Sequence, residues 1–182
     1  MMTISVDLDN TIFDLAHLYK AICNRHKVQY VAPISWDVYE SYPKCVADDL
    51  MVAFESDIMY KNPILDKRIP ATLNAIYKNP HIKLYYITER PIGNDRWQLN
   101  NAGILCDHNQ IINCTPKIHA LKKYGVTLCF DDSPQIILDC IENNIDVVMI
   151  SNEDTAYNHH LRGRVEHYPN LVTALTRRGM IR

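Results

Sequence analysis

Hydrophobic and polar positions alternate in two rhythms along this chain. In the first part apolar residues recur at helical spacing. Leu15, Leu18 and Ile22 form one stripe and predict a helix from Asp14 to Lys27. Val46, Leu50, Phe54 and Ile58 sit four apart and predict a second helix, ended by Asn62-Pro63. Ile69, Leu73 and Ile76 or Tyr77 predict a third over 66–78. Ahead of these, Ile4, Val6 and Leu8 around Ser5 predict a short buried strand.

The later rhythm alternates short apolar runs with helical stripes. Strands are predicted at 82–88, 110–114, 126–130 and 146–150. Between them fall a helix from Gly93 to Ala102 closed by Gly103, one begun by Thr115-Pro116 and ended at Gly125, and one begun by Ser133-Pro134. A polar loop over 152–164 and a last helix over 169–178 complete the chain. Strands alternating with helices predict an α/β fold: a Rossmann-like parallel sheet with helices on both faces. Residues 14–63, with two helices around an aromatic-rich linker, are too long for a simple crossover. They are expected to form a small helical cap on a core made of residues 1–13 and 64–182.

Composition narrows the function classes. With 182 residues, 47% hydrophobic, 22% charged and a net charge of −2, the chain suits one ordinary globular domain. Without a Lys/Arg block, a grip on long nucleic acid is not expected. Neither a signal peptide nor a membrane-length apolar run is visible, so no membrane partner and a cytoplasmic location are expected. The six cysteines lack a CxxC pair and lie mostly among apolar neighbours, as buried free thiols would. Self-association as a homodimer is left open.

Candidate chemistry gathers at strand ends, where open α/β sheets bind ligands. The first strand stops on Asp7-Leu8-Asp9-Asn10-Thr11, and alternation can turn both aspartates to one side. By itself this is either an Asx-rich turn or a carboxylate pair awaiting a cation. Strand 82–88 ends in Thr88, followed by Glu89-Arg90-Pro91, and strand 126–130 ends in Asp131-Asp132-Ser133. Lys117 opens the helix before that last strand. Each residue has a plain structural alternative, as a cap or a solvated first-turn side chain. Their convergence on one edge favours chemistry.

This ordered set (DxDxT, a strand-ending Thr88, Lys117, and the Asp131-Asp132 pair) resembles the four motifs of the haloacid dehalogenase superfamily. The segments Ile87–Pro91 and Phe130–Pro134, with the insertion after the first strand, are most similar to its 5′(3′)-deoxyribonucleotidase-like branch. Asn10-Thr11 stands where that branch usually has Gly then Val or Thr, and Glu89 where a small residue is common.

The resemblance implies a Mg²⁺-dependent phosphomonoesterase working through an aspartyl-phosphate. Asp7 would be the nucleophile and Asp9 the general acid and base, with Lys117 offsetting repulsion between anions. Mg²⁺ would be held by the Asp7 carboxylate, the Asp9 carbonyl, and Asp132 with Asp131 direct or through water. Thr88, Asn10, Glu89 and Arg90 are the remaining candidates near the phosphate and sugar, Arg90 pairing with Glu89 or Glu142 being the alternative. Trp36, with Tyr39, Tyr42 and Phe13, could stack on a base or pack cap against core.

The expected substrate is a small phosphate ester, first a (deoxy)nucleoside 5′-monophosphate, with a sugar phosphate or a polynucleotide end as the alternative. A phospho-accepting signalling module and a silent scaffold are the non-enzymatic readings. His159-His160 are expected to be exposed. Arg177, Arg178 and Arg182 are read as a solvated helix end.

Overall fold

The sheet sorts its side chains with a period of two, and that sorting sets the architecture. In the computed structural model, which describes residues 1–91 and 93–181, six strands form one all-parallel sheet in the order β3-β2-β1-β4-β5-β6. They are β1 (Met2–Val6), β2 (Ile82–Thr88), β3 (Ile111–Asn113), β4 (Leu128–Asp131), β5 (Asp146–Ile150) and β6 (Glu166–Tyr168). The helices are α1 (Leu15–Arg25), α2 (Val38–Ser41), α3 (Lys44–Phe54), α4 (Ile69–Tyr77), α5 (Asp95–Asn101), α6 (Lys117–Lys123), α7 (Pro134–Glu142) and α8 (Leu171–Arg177).

Ile4, Val6, Leu84, Tyr86, Leu128, Phe130, Val148 and Ile150 share one core with α4 and α8. Tyr85, Ile87, Cys129, Val147 and Met149 share the opposite core with α6 and α7. The expected Rossmann-like sheet is therefore present, covered on both faces. Strand order reverses between β1 and β4, the place where such sheets open a crevice. Ser5 pairs in register with Cys129, so Asp7 and Asp131, two residues further on, fall together on the α6 side.

Between β1 and α4 the chain builds a third apolar cluster of its own, from α1, α3, Val38, Tyr42 and Met59. Asp14 starts α1 as its cap, accepting from the His17 amide at 3.1 Å. The second predicted helix is interrupted. Ser56 bonds back to the Ala53 carbonyl and accepts from the Ile58 amide, so Asp57–Lys61 continues as a 3₁₀ turn with Ile58 exposed. The third predicted helix starts three residues late, because Asp66 caps a turn on the Arg68 amide.

Pro116 and not Thr115 is the cap of α6, and the Thr115–Pro116 bond is cis. Pattern reading missed α2, β6 and the 3₁₀ turn Ala156–Leu161 inside the polar loop; each is too short to show a period. Among the described residues no helix is long and apolar enough to cross a membrane. All six cysteines are free, with Cys45 exposed and Cys114 half-buried against the expectation of general burial. Arg178 is not merely solvated: it pairs with Asp146 at 2.8 Å and Glu166 at 2.6 Å. Arg182 lies outside the described residues.

Candidate active site

Lys117 lies at the centre of the site. As the first residue of α6 it points into the β1–β4 crevice, 3% exposed, with Nζ 2.6 Å from Asp7 Oδ1 and 2.7 Å from Asp131 Oδ2. Burial opposes its charge, but Asp131 and Asp7 more than offset this and hold it well above the ordinary lysine range. Asp7 is pushed up to about 7, first by burial and then by Asp131 and Asp9, against the pull of Lys117. Burial, then the charges of Asp7 and Asp131, raise Asp132 well above the carboxylate range. Asp131 is further fixed by accepting from the Ser133 amide at 2.9 Å.

Ligand oxygens of Asp7, Asp131 and Asp132 lie within 4.8 Å of one another, all three residues buried. One lysine does not neutralise three buried carboxylates, and the donor set is all hard oxygen. These residues fit a divalent ion of the Mg²⁺ type.

Asp9 reaches the crevice by a turn. β1 ends at Val6, the Ile12 and Phe13 amides return to the Leu8 carbonyl, and Asn10 takes a left-handed φ of 51°. Strand alternation, the expected reason for Asp7 and Asp9 sharing a side, therefore does not apply. The left-handed backbone accounts for Asn10 where glycine was usual, since both residue types tolerate it. Asp9 is gripped at both oxygens by Arg90, from Nε at 2.8 Å and from Nη2 at 2.6 Å.

The third guanidinium nitrogen of Arg90 donates to Asp95 and Gln98 at 2.9 and 2.8 Å. Arg90 thus pairs with Asp9 and Asp95, and neither Glu89 nor Glu142 is its partner. Tyr60 covers its face at 5.5 Å, an approach that needs Gly93, where a Cβ would stand 2.0 Å from the Tyr60 hydroxyl.

The crevice opens into a cavity of about 260 Å³ lined by Asp7, Asp9, Asn10, Thr88, Glu89, Arg90, Lys117, Asp131 and Asp132. Thr88 is buried, its hydroxyl accepting from the Arg90 amide at 3.3 Å. Glu89 is exposed and caps α6 by accepting from the Lys117 amide at 3.0 Å. The far wall is apolar: Leu15, Tyr19, Pro33, Trp36, Phe54 and Met59.

Of the aromatic candidates only Trp36 is at this wall. Tyr42 is buried against Tyr19, Tyr39 is exposed and bonded to Asp48, and Phe13 is buried in the core beneath Arg90. Two functional candidates escaped the sequence reading, Tyr157 and Asn158. Tyr157 donates to Asp132 Oδ2 and accepts from Asn10 Nδ2, while Asn158 Nδ2 donates to the Asp132 carbonyl at 2.8 Å. The Tyr-Asn pair inside an otherwise polar loop was the available signal. His160 is exposed, and His159 is half-buried beside Arg162.

No family model and no curated protein matches the chain by sequence. Comparison of structures does find proteins of similar fold. A haloacid dehalogenase-like family hydrolase from Streptococcus pneumoniae superposes with a TM-score of 0.61 at 15% identity, covering 97% of this chain and 98% of the other. The fold is that of the haloacid dehalogenase-like hydrolases. A phosphatase from Clostridium acetobutylicum, so described by prediction, matches that fold with a TM-score of 0.60 at 14% identity, over 98% of each chain. A further hydrolase of this type, from Deinococcus radiodurans and holding phosphate and sodium, aligns at 0.58 and 14% identity over 96% of this chain and 86% of its own. At such identities the likeness to the haloacid dehalogenase-like hydrolases is one of fold, and the chemistry has to be argued from this chain's residues.

Proposed function

We propose that this protein is a Mg²⁺-dependent phosphomonoesterase of the haloacid dehalogenase type, acting on nucleoside monophosphates. The observation that carries the reading is the Asp7–Lys117–Asp131 cluster, with Asp132 beside it, at the β1–β4 crevice. The phosphate bound to the Deinococcus hydrolase of the same fold supports it.

An Asp7 oxygen attacks phosphorus, forming an acyl-phosphate as the bond from phosphorus to the ester oxygen breaks. Asp9 gives that leaving oxygen a proton, then takes one from the water that attacks phosphorus and releases phosphate from Asp7. Arg90 occupies both Asp9 oxygens in this structure, so Asp9 acts on the leaving oxygen only after it has taken up a proton and turned from Arg90 toward the ester. Lys117 holds Asp7 in place and offsets its charge against the incoming phosphate. Asp7, Asp132 and Asp131 would hold a divalent ion, which would supply charge neutralisation for the phosphoryl group. Thr88 is the neighbouring hydroxyl donor for those oxygens.

The walls support this substrate class. Among the described residues, Arg90 and Lys117 are the only cationic side chains lining the cavity, and both are already paired, which suits one phosphate and not a chain of them. The apolar wall contributed by residues 14–63, acting as a cap, suits a base, with Trp36 the stacking ring.

Phosphate release with Mg²⁺ from a panel of nucleoside monophosphates, sugar phosphates and a 5′-phosphorylated oligonucleotide tests this. Preference for mononucleotides is expected. Preference for sugar phosphates or oligonucleotide ends would refute the substrate class alone. Absence of turnover on every ester would refute the phosphatase reading.

A further inference from the structure

Tyr157 is almost wholly buried at the end of the cavity, on the turn that follows β5, far in sequence from every other residue of the site. A phenol carries one hydrogen and can also accept. Asn10 Nδ2 donates to the Tyr157 oxygen at 2.9 Å, and the orientation of that amide is fixed because its Oδ1 accepts from the Leu15 amide at 3.2 Å. The phenol hydrogen is therefore left for Asp132 Oδ2. Asn158, the next residue, binds the Asp132 carbonyl and the Ile150 carbonyl at 2.8 and 2.9 Å, anchoring the turn to the ends of β4 and β5. The Trp36 ring meets the Tyr157 ring edge-on, 5.3 Å between centroids, and closes its outer side.

We propose that Tyr157 is a positioning residue: its hydroxyl, directed by Asn10, occupies one oxygen of Asp132 and so presents the other to the divalent ion. This rests on the metal-dependent reading given above. A carboxylate ligand needs a partner that fixes its rotamer, and loss of such a partner commonly weakens metal binding about 10–100-fold. Asp131 has that support from Lys117 and the Ser133 amide, and Asp7 from Lys117; Tyr157 is the side chain that gives it to Asp132.

The test measures metal binding without substrate, by titrating Mn²⁺ and following the free ion by electron paramagnetic resonance, with Mg²⁺ as competitor. Tyr157→Phe keeps the ring against Trp36 and removes the hydroxyl. It is expected to weaken Mn²⁺ binding about 10–100-fold, measured below the variant's own melting temperature in chelator, which the unpaired Asp132 oxygen and Asn10 amide lower. In an Asp132→Asn background the same change is expected to alter affinity less than about twofold, because the two act through one contact. Asn10→Gly, which keeps the left-handed backbone, is expected to weaken binding several-fold in the same direction and stands in if Tyr157→Phe does not fold.

Wild-type affinity in both Tyr157→Phe and Asn10→Gly would overturn the proposal, as would an equal loss when Asp132 is already Asn. A wild-type protein that binds no Mn²⁺ would overturn the metal-centre reading itself and this proposal with it.

Discussion

Removing the Lys117 charge is the perturbation whose size the structure defines best. Lys117→Met keeps length and apolar stem while leaving Asp7 and Asp131 facing each other with no cation between them. All three side chains are at least nine-tenths buried, so solvent screens little of the interaction. Breaking a buried pair by removing one partner costs about 3–5 kcal/mol. For a domain of this length each kcal/mol moves the melting temperature by about 2–4 °C, so a fall of roughly 6–20 °C is expected.

The assay is thermal unfolding followed by circular dichroism, in chelator and in excess Mg²⁺. A divalent ion takes over part of the neutralisation, so Mg²⁺ should stabilise Lys117→Met more than it stabilises the wild type. A variant within about 0.5 kcal/mol of wild type in chelator, the spread of ordinary surface changes, would refute the claim that Lys117 holds these carboxylates.

Asp7 also carries a pH signature in the metal-free protein. Its folded pKa of about 7 lies above the ordinary 3.8, so its contribution to stability is fully present below 3.8 and lost as pH rises toward 7. In chelator, Asp7→Asn should therefore gain stability relative to wild type across that window; a constant difference between the two melting curves would contradict it. Arg90→Lys cannot grip both Asp9 oxygens and leaves Asp9 less well oriented, so kcat should lose part of the roughly 10²–10⁴-fold that acid–base catalysis contributes, with KM nearly unchanged. A change confined to KM would return Arg90 to substrate binding. Trp36→Ala should raise KM for mononucleotides more than for a generic aryl phosphate, and equal effects would make Trp36 a packing residue.

Much of the fold was legible because its signals are local and periodic. Strands 82–88 and 146–150 were bounded by their apolar runs, and the β1 and β4 ends announced Asp7 and Asp131-Asp132. Partner choice was not legible. Arg90 sits next to Glu89 in sequence, yet its guanidinium turns inward to Asp9 and Asp95, because burial demands charges that can follow it inside and Glu89 stays at the surface. Tyr157 was hidden for a related reason. It lies on a short 3₁₀ turn with no apolar period, and only the folded turn brings it to Asp132, 25 residues away in sequence. Phe13 and Tyr42 looked like stacking rings until the core claimed them; aromatic type alone does not separate a wall from a filling.

The proposed chemistry puts the phosphoryl group on Asp7. Turnover of the best mononucleotide in Mg²⁺, quenched in acid during the first cycles and mapped by peptide mass spectrometry, tests it directly. A phosphoryl adduct of about 80 Da is expected on the peptide containing Asp7, as for a covalent intermediate, absent in Asp7→Asn along with phosphate release. Undiminished phosphate release by Asp7→Asn, or an adduct on a different residue, would contradict it.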